Sequence, residues 1–319
     1  MLVARVDSML STYILTKYKI DIFVIMNTTN NQSILSQLGT LLFLVVLFTL
    51  LGQGITFLIL KIGGINLGQE MINDLGGARE RQLVRFGTAI GHIISFTISS
   101  LVFLYIFHRD TYSKYLRSDI IPKNSSVLIC LILLLVSYPL VIKFSAWNMA
   151  IPLPDWAIMS SEATSDLLKG ILNMEGIGEL IMAIFLVGIT PAIGEELLYR
   201  GIVQNKLIKA TGNEHIGIFI ASFLFSLNHL QLERLLPFML LGLVLGYSYH
   251  YTKSFWVPVI LHFINNSFQV MSLYGSKDII AELDMNQTPE IPIAALIISI
   301  FATFGLIFYL KKKSQREYV

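Results

Sequence analysis

The chain has 319 residues, of which 54% are hydrophobic and only 14% are charged, and its mean hydropathy is +0.68. Soluble domains carry about 25% charged residues, so this composition predicts an integral membrane protein, with the lipid bilayer as its surroundings. A net charge of +2 without a basic tract argues against nucleic acid as a partner, and a single cysteine excludes an intrachain disulfide and a cysteine metal cluster.

Residues 1–34 form a lead before the first long apolar segment. Its apolar patch at 20–26 is shorter than the hydrophobic region of a usual signal peptide, and no small-residue cleavage site follows it. Met26, which stands just before a polar stretch, is an alternative start codon.

Apolar segments long enough to cross a bilayer, which takes about 20 residues in a helix, recur along the rest of the chain. The sequence therefore predicts an all-α, polytopic helical membrane protein with about eight transmembrane helices. The predicted spans are 38–60, 86–107, 127–142, 177–199, 216–230, 235–251, 255–274 and 291–310.

The connections between the spans suggest how the chain is organised. The polar stretch 65–85 predicts a loop with an interfacial helix, and His92 in the second span is interpreted as a satisfied interior group rather than a ligand. Three lysines, Lys311, Lys312 and Lys313, close the last span and favour a cytoplasmic C-terminus in the cell membrane. The predicted division is an N-terminal lead (1–34), N-terminal spans with interfacial loops (35–175), a core segment that carries the polar motifs described below (176–275), and a last span with a basic tail (276–319).

Ionisable side chains inside apolar helices are costly and usually mark a working site. In the second half of the chain they are few, with one amide as their companion: Glu195, Glu196, Arg200, His229, His262 and Asn266. Glu196 and Arg200 are four residues apart, which favours an ion pair on one helix face, whereas Glu195 lies about 100° around the helix.

Spacing along the chain predicts that these groups meet. Glu195 and His229 are each 17 residues from Gly212, so antiparallel helices on either side of this turn would place them at one depth. His262 follows Ser254 by eight residues, or about 12 Å of helix. A lone histidine or amide often bonds a neighbouring helix, and Phe225 at helical spacing is typical of packing. A carboxylate, two histidines and an amide on three helices instead favour a shared site, because acyl-transfer hydrolysis needs a base and oxyanion donors.

Three motifs stand on successive apolar segments: EELLYR at 195–200, FSLNH at 225–229 and HFINN at 262–266. They resemble the motifs of the CPBP family, which includes CAAX prenyl protease 2 and bacteriocin-processing intramembrane proteases. The resemblance covers about 177–274 and implies an intramembrane endopeptidase with a conical catalytic cavity. It implies that Glu195 is the general base, that His229 holds the water, and that His262 and Asn266 donate to the oxyanion. Supporting roles fall on Glu196, Arg200 and Phe225.

The cofactor and the substrate remain open at this point. A metal-free mechanism that requires no cofactor is favoured, because no His-Glu-x-x-His motif occurs and Asn266 suits oxyanion donation; the alternative is zinc held by Glu195, His229 and His262. The expected partner is a membrane-associated peptide, either unmodified or prenylated or otherwise lipidated. A catalytically silent bacteriocin-immunity or scaffold protein of the same fold is the alternative function. A proton-coupled transporter is disfavoured, because no inverted repeat is evident.

Overall fold

The computed structural model describes residues 32–65, 77–275 and 290–317, and within these ranges the protein is helical without a strand. The predicted lead lies almost wholly outside the described residues. The helices are α1 (Ile34–Ile62), α2 (Ala78–His108), α3 (Tyr112–Leu116), α4 (Asn124–Met149), α5 (Asp155–Leu172), α6 (Ile177–Thr211), α7 (Glu214–Leu227), α8 (Leu235–Thr252), α9 (Trp256–Gly275) and α10 (Ile293–Glu317).

The fold is that of a polytopic all-α membrane protein, but the predicted number of eight spans is not confirmed. In the described part of the chain, six helices are long and apolar enough to cross a membrane: α1, α2, α4, α6, α8 and α10. The other two predicted spans correspond to α7, which has only 14 residues, and to α9, which has 20 residues but carries several polar side chains. A 14-residue helix extends about 21 Å, less than the roughly 30 Å of a bilayer core.

The N-terminal part of α2 differs from the prediction. The stretch 65–85 was expected to be a loop with an interfacial helix, whereas α2 begins at Ala78 and continues to His108. Arg81 and Arg85 are fully buried, and both contact Glu179 near the start of α6, at N–O distances of 2.9 and 3.2 Å. The polar residues of this stretch therefore pair across two helices, because a buried charge is tolerated when it is paired.

Helices α1 and α2 approach each other through small residues. A Cβ atom added to Gly52 would lie 2.7 Å from the carbonyl oxygen of Gly91, and one added to Gly91 would lie 2.5 Å from Oγ1 of Thr56. The Thr56 hydroxyl also donates to the carbonyl oxygen of Gly87 at 2.9 Å. Small residues let helix backbones touch, so this contact fixes α2 immediately before His92.

Helices α2 and α6 both depart from regular α-helical geometry. Each contains π-helical turns, at Ile93–Ile98 in α2 and at Ile184–Ile189 and Leu197–Gln204 in α6. Such turns are rare and often lie at functional sites. In α2 the π turn directly follows His92. In α6 one π turn precedes and the other follows the stretch Thr190–Glu196, where α6 approaches α2.

Candidate active site

Glu196 and Arg200 form the pair that their spacing predicts. Nη1 of Arg200 lies 2.8 Å from Oε1 of Glu196, and both side chains are almost fully buried. Nη2 of Arg200 donates to the carbonyl oxygen of Gly242 on α8 at 3.2 Å. The guanidinium group therefore joins α6 to α8 while it compensates the charge of Glu196.

His262 also contacts Glu196 and is held by the same oxygen as Arg200. Its Nδ1 lies 2.8 Å from Oε1 of Glu196, and its side chain is 3% exposed. A ring that donates its Nδ1–H to a carboxylate has an acceptor at Nε2 when it is neutral. It offers a second N–H group only as the imidazolium. The predicted oxyanion role therefore requires the protonated ring, whereas the neutral ring can hold a water molecule at Nε2.

Phe225 packs between several of these side chains. Its ring lies 4.4 Å below the Arg200 guanidinium, and its centroid is 4.9 Å from that of His229 and 6.0 Å from that of His262. An aromatic face attracts the guanidinium electrostatically. Phe225 thus has the packing role that its spacing predicts, and it brings the second motif against the other two.

His229 lies in a turn rather than inside a span. Helix α7 ends at Leu227, and Leu230 adopts a left-handed φ of 55°, so the prediction that a span continues to residue 230 is wrong. Nδ1 of His229 lies 2.9 Å from the carbonyl oxygen of Phe225, and its ring packs 4.3 Å from that of Phe238. With Nδ1 at a carbonyl, Nδ1 is the donor and Nε2 is left as an acceptor.

Glu195 does not take part in the Glu196–Arg200 pair, as predicted. It is 7% exposed, and its Oε2 is buried without a hydrogen-bond partner in the described structure. His229 and His262 both pack against the ring of Phe225, and His262 contacts Glu196, the residue next to Glu195. A buried carboxylate oxygen without a partner is costly unless a water molecule or a substrate group meets it.

His92 is the site residue that sequence reasoning missed. Its Nε2 lies 3.1 Å from Oε1 of Glu195, although the two residues are 103 positions apart. The sequence interpretation as a satisfied interior group holds only for Nε2, because Nδ1 is buried without a partner in the described structure. The sequence feature that could have indicated this role is a histidine within an apolar span, close to glycines at positions 87 and 91 that are spaced for contact with another helix.

Asn266 lies one helical turn after His262 but has other partners. Its Nδ2 donates to the carbonyl oxygen of Val187 in a π turn of α6 at 2.9 Å, and its Oδ1 accepts from Nδ2 of Asn265 at 2.9 Å. Oδ1 of Asn265 in turn accepts from the Tyr138 hydroxyl of α4 at 2.7 Å. One N–H of Asn266 remains after these bonds, and its oxyanion role remains a prediction.

The described structure does not assemble the alternative zinc ligand set. Zinc needs three or four converging donors, and the alternative ligand set was Glu195, His229 and His262. Among the residues that the structure describes, no three His, Cys, Asp or Glu side chains are placed to hold one metal ion. That hydrolysis needs no metal remains a prediction from the sequence.

Comparison with known proteins finds similarity in one part of the chain. Residues 177–268 match the family model described as type II CAAX prenyl endopeptidase Rce1-like. The membrane protein YdiL of Bacillus subtilis is 31% identical over 103 residues, which are 31% of this chain and 42% of YdiL. The membrane-embedded CAAX protease MroQ of Staphylococcus aureus is 30% identical over 93 residues, which are 28% of this chain and 38% of MroQ.

The similarity is confined to part of each protein. A third relative, YpbD of Bacillus subtilis, is 31% identical over 100 residues, covering 30% of this chain and 46% of YpbD, so the chain spans less than half the length of each of these relatives. No solved structure matches the chain. The matched segment contains all three motifs, including Glu195 and Glu196, so this part of the chain is similar to the Rce1-like CAAX proteases, and the match supports the resemblance of its motifs to the CPBP family.

Proposed function

We propose that this protein is an intramembrane endopeptidase that hydrolyses a peptide bond of a membrane-associated or lipidated peptide. The observation that carries the proposal is the state of Glu195, a buried carboxylate that takes no part in the Glu196–Arg200 pair and whose Oε2 has no hydrogen-bond partner in the described structure. The match of residues 177–268 to the Rce1-like family model supports a membrane protease, and MroQ, which is similar over 93 residues, is named a membrane-embedded CAAX protease.

In the proposed reaction, Oε2 of Glu195 takes a proton from a water molecule, and the resulting hydroxide attacks the carbonyl carbon of the scissile peptide bond. The neutral carboxylic acid then returns this proton to the leaving nitrogen, which departs as an amine. Nε2 of His229 accepts a hydrogen bond from the water, because Nδ1 of this ring is turned to the Phe225 carbonyl. Water and peptide thus become a carboxylic acid and an amine without a cofactor.

The developing oxyanion needs donors that are already in place. We assign this role to the imidazolium form of His262, whose orientation the Glu196 carboxylate fixes, and to the remaining N–H of Asn266. Arg200 supports the orientation of His262 indirectly, because both side chains contact Oε1 of Glu196. Removing one oxyanion donor costs about 10²–10³ in kcat in a well-studied protease.

The test compares Glu195→Gln with Glu162→Gln, which makes the same chemical change at an exposed glutamate of α5. The probes are an internally quenched, farnesylated peptide ending in a CAAX sequence and its unfarnesylated counterpart, with the proteins reconstituted in liposomes. Wild type and Glu162→Gln are expected to cleave one or both probes in the presence of EDTA, and Glu195→Gln is expected to be slower by about 10²–10⁴.

Both probes can lie outside the natural specificity, so the same variants are also expressed in native membranes. Glu195→Gln is expected to retain peptides that wild type releases, and mass spectrometry of the purified protein identifies them. Equal cleavage by wild type and Glu195→Gln overturns the proposal. So does the combination of no cleavage by wild type and no peptide retained by Glu195→Gln, which would favour a catalytically silent member of the family.

A further inference from the structure

The contact between His92 and Glu195 joins the matched family segment to a helix outside it. His92 belongs to α2, whereas the family match begins at residue 177 with α6. Nε2 of His92 is 3.1 Å from Oε1 of Glu195, and the two side chains are 17% and 9% exposed. A hydrogen bond to a charged group at this burial is stronger than a neutral one, so the contact is a substantial constraint on the carboxylate.

The His92 ring is packed against both helices. Phe96, one turn further along α2, stacks on it with a centroid distance of 4.5 Å and an angle of 29° between the planes. Gly194 of α6 is also close to it, since a Cβ atom added there would be 3.5 Å from Cε1 of His92. In this packed position, Nε2 is the ring nitrogen that faces Glu195.

The backbone of α2 is also fixed where His92 leaves it. The preceding residue, Gly91, packs against Gly52 and Thr56 of α1, and the π turn Ile93–Ile98 follows directly. On the α6 side, a Cβ atom added to Gly194 would be 2.9 Å from Oγ1 of Thr97. Helices α1, α2 and α6 therefore hold the ring at hydrogen-bond distance from the carboxylate.

We infer that His92 is a positioning residue for Glu195: its Nε2–H holds Oε1 and turns Oε2 towards the water molecule and the substrate. The two oxygens differ as this role requires, because Oε1 has a donor and Oε2 has none in the described structure. A carboxylate fixed by one oxygen presents the other in a defined direction, which reduces the reorganisation needed in the transition state. The inference rests on the proposed function, in which Glu195 is the general base.

The experiment compares His92→Leu, which removes the donor, with His92→Gln, whose side-chain amide can donate to Oε1 in its place. His215→Leu is the matched control, because this histidine is 54% exposed and lies on α7 away from Glu195. For the peptide that wild type cleaves, His92→Leu is expected to lower kcat by about 10- to 100-fold, the rate equivalent of one hydrogen bond to a charged group, with KM within about 3-fold. His92→Gln is expected to recover most of this loss, and His215→Leu to match wild type.

The thermal unfolding of the same variants separates positioning from a general loss of structure. Wild-type kcat in His92→Leu overturns the inference while the proposed function stands. The inference is also overturned if His92→Gln and His92→Leu lower kcat equally. It is overturned as well if the variants with a lower Tm show a correspondingly higher KM. If wild type cleaves no peptide and Glu195→Gln retains none, the proposed function itself has failed and the inference fails with it.

Discussion

Two neighbouring glutamates, Glu195 and Glu196, have separate partners because they lie about 100° apart around α6. Glu196 faces Arg200 and His262, whereas Glu195 faces α2 and contacts His92. Oε1 of Glu196 is held by Arg200, which compensates its charge, and orients His262. Glu195 has no arginine partner in the described structure, and its Oε2 lacks a hydrogen-bond partner, as a general base in the resting state requires.

The Glu196–Arg200 pair leads to a prediction about stability. Arg200→Ala is expected to lower the free energy of unfolding by about 3–5 kcal/mol, because it breaks a buried ion pair and leaves the remaining charge partly uncompensated. Adding Glu196→Gln removes that charge, so the double variant is expected to have a higher Tm than Arg200→Ala alone.

Thermal unfolding in detergent measures this difference, with Lys209→Ala at an exposed position of α6 as the control. The double variant is expected to stay inactive even though it is more stable, since His262 has lost the carboxylate that orients it. A double variant that melts no higher than Arg200→Ala would show that the pairing does not govern stability.

At the level of the helices, the site depends on the close approach of α2 to α6 at Gly194. A Cβ atom at this position would lie 2.9 Å from Oγ1 of Thr97 and 3.1 Å from Cβ of Phe96. Both distances are shorter than a normal contact, so the helices would have to separate. The residue that must stay small is thus adjacent to the proposed base.

Gly194→Ala is expected to lower Tm and to reduce kcat, because separating the helices lengthens the contact between His92 and Glu195. Overpacking of this kind costs about 1–3 kcal/mol. The control is Gly178→Ala in the same helix, where an added Cβ meets nothing within 4 Å and the helix gains propensity. Combining Gly194→Ala with Thr97→Ala is expected to recover part of the loss in Tm and part of the loss in kcat. If the double variant recovers neither, or if Gly178→Ala has an equal effect, the close contact of Gly194 with Thr97 does not govern the site.

For the whole molecule, the structure places the basic end of α10 beside the turn between α6 and α7. Nζ of Lys311 lies 2.9 Å from Oε1 of Glu214, the first residue of α7, and Tyr251 and His250 contact the same carboxylate. Residues near this turn and the C-terminal lysine cluster therefore share one side of the membrane. The excess of lysine on this side favours the cytoplasm.

This arrangement leads to a prediction of sidedness. In intact cells, Lys209→Cys is expected to react with a membrane-impermeant maleimide only after permeabilisation, whereas Asn173→Cys before the other end of α6 is expected to react from outside. The 35 residues of α6 extend about 52 Å, so its two ends lie on opposite sides of a bilayer. The native Cys130 is fully buried and gives a low background. Ready labelling of Lys209→Cys in intact cells would reverse the proposed orientation.

Several features of this protein follow from local patterns in its sequence, without knowledge of the tertiary structure. The length of the apolar segments indicated a polytopic helical protein, the spacing of Glu196 and Arg200 indicated their pair, and three motifs indicated the family. Counting helical residues from Gly212 and from Ser254 also predicts that Glu195, His229 and His262 approach one another, and this remains a prediction. The inferences about segment length and about the Glu196–Arg200 pair succeed because helical geometry is regular over short distances along the chain.

Only the tertiary structure decided what the distant helices contribute. The contact between His92 and Glu195 links positions 103 residues apart, and it depends on π turns and on glycine contacts that no sequence period encodes. The same limit applies to the number of spans, because α7 ends at Leu227, earlier than the apolar segment predicts. Sequence spacing thus determines which residues share a helix face, and the packing of those faces decided which oxygen of Glu195 is held by His92 and which has no partner in the described structure.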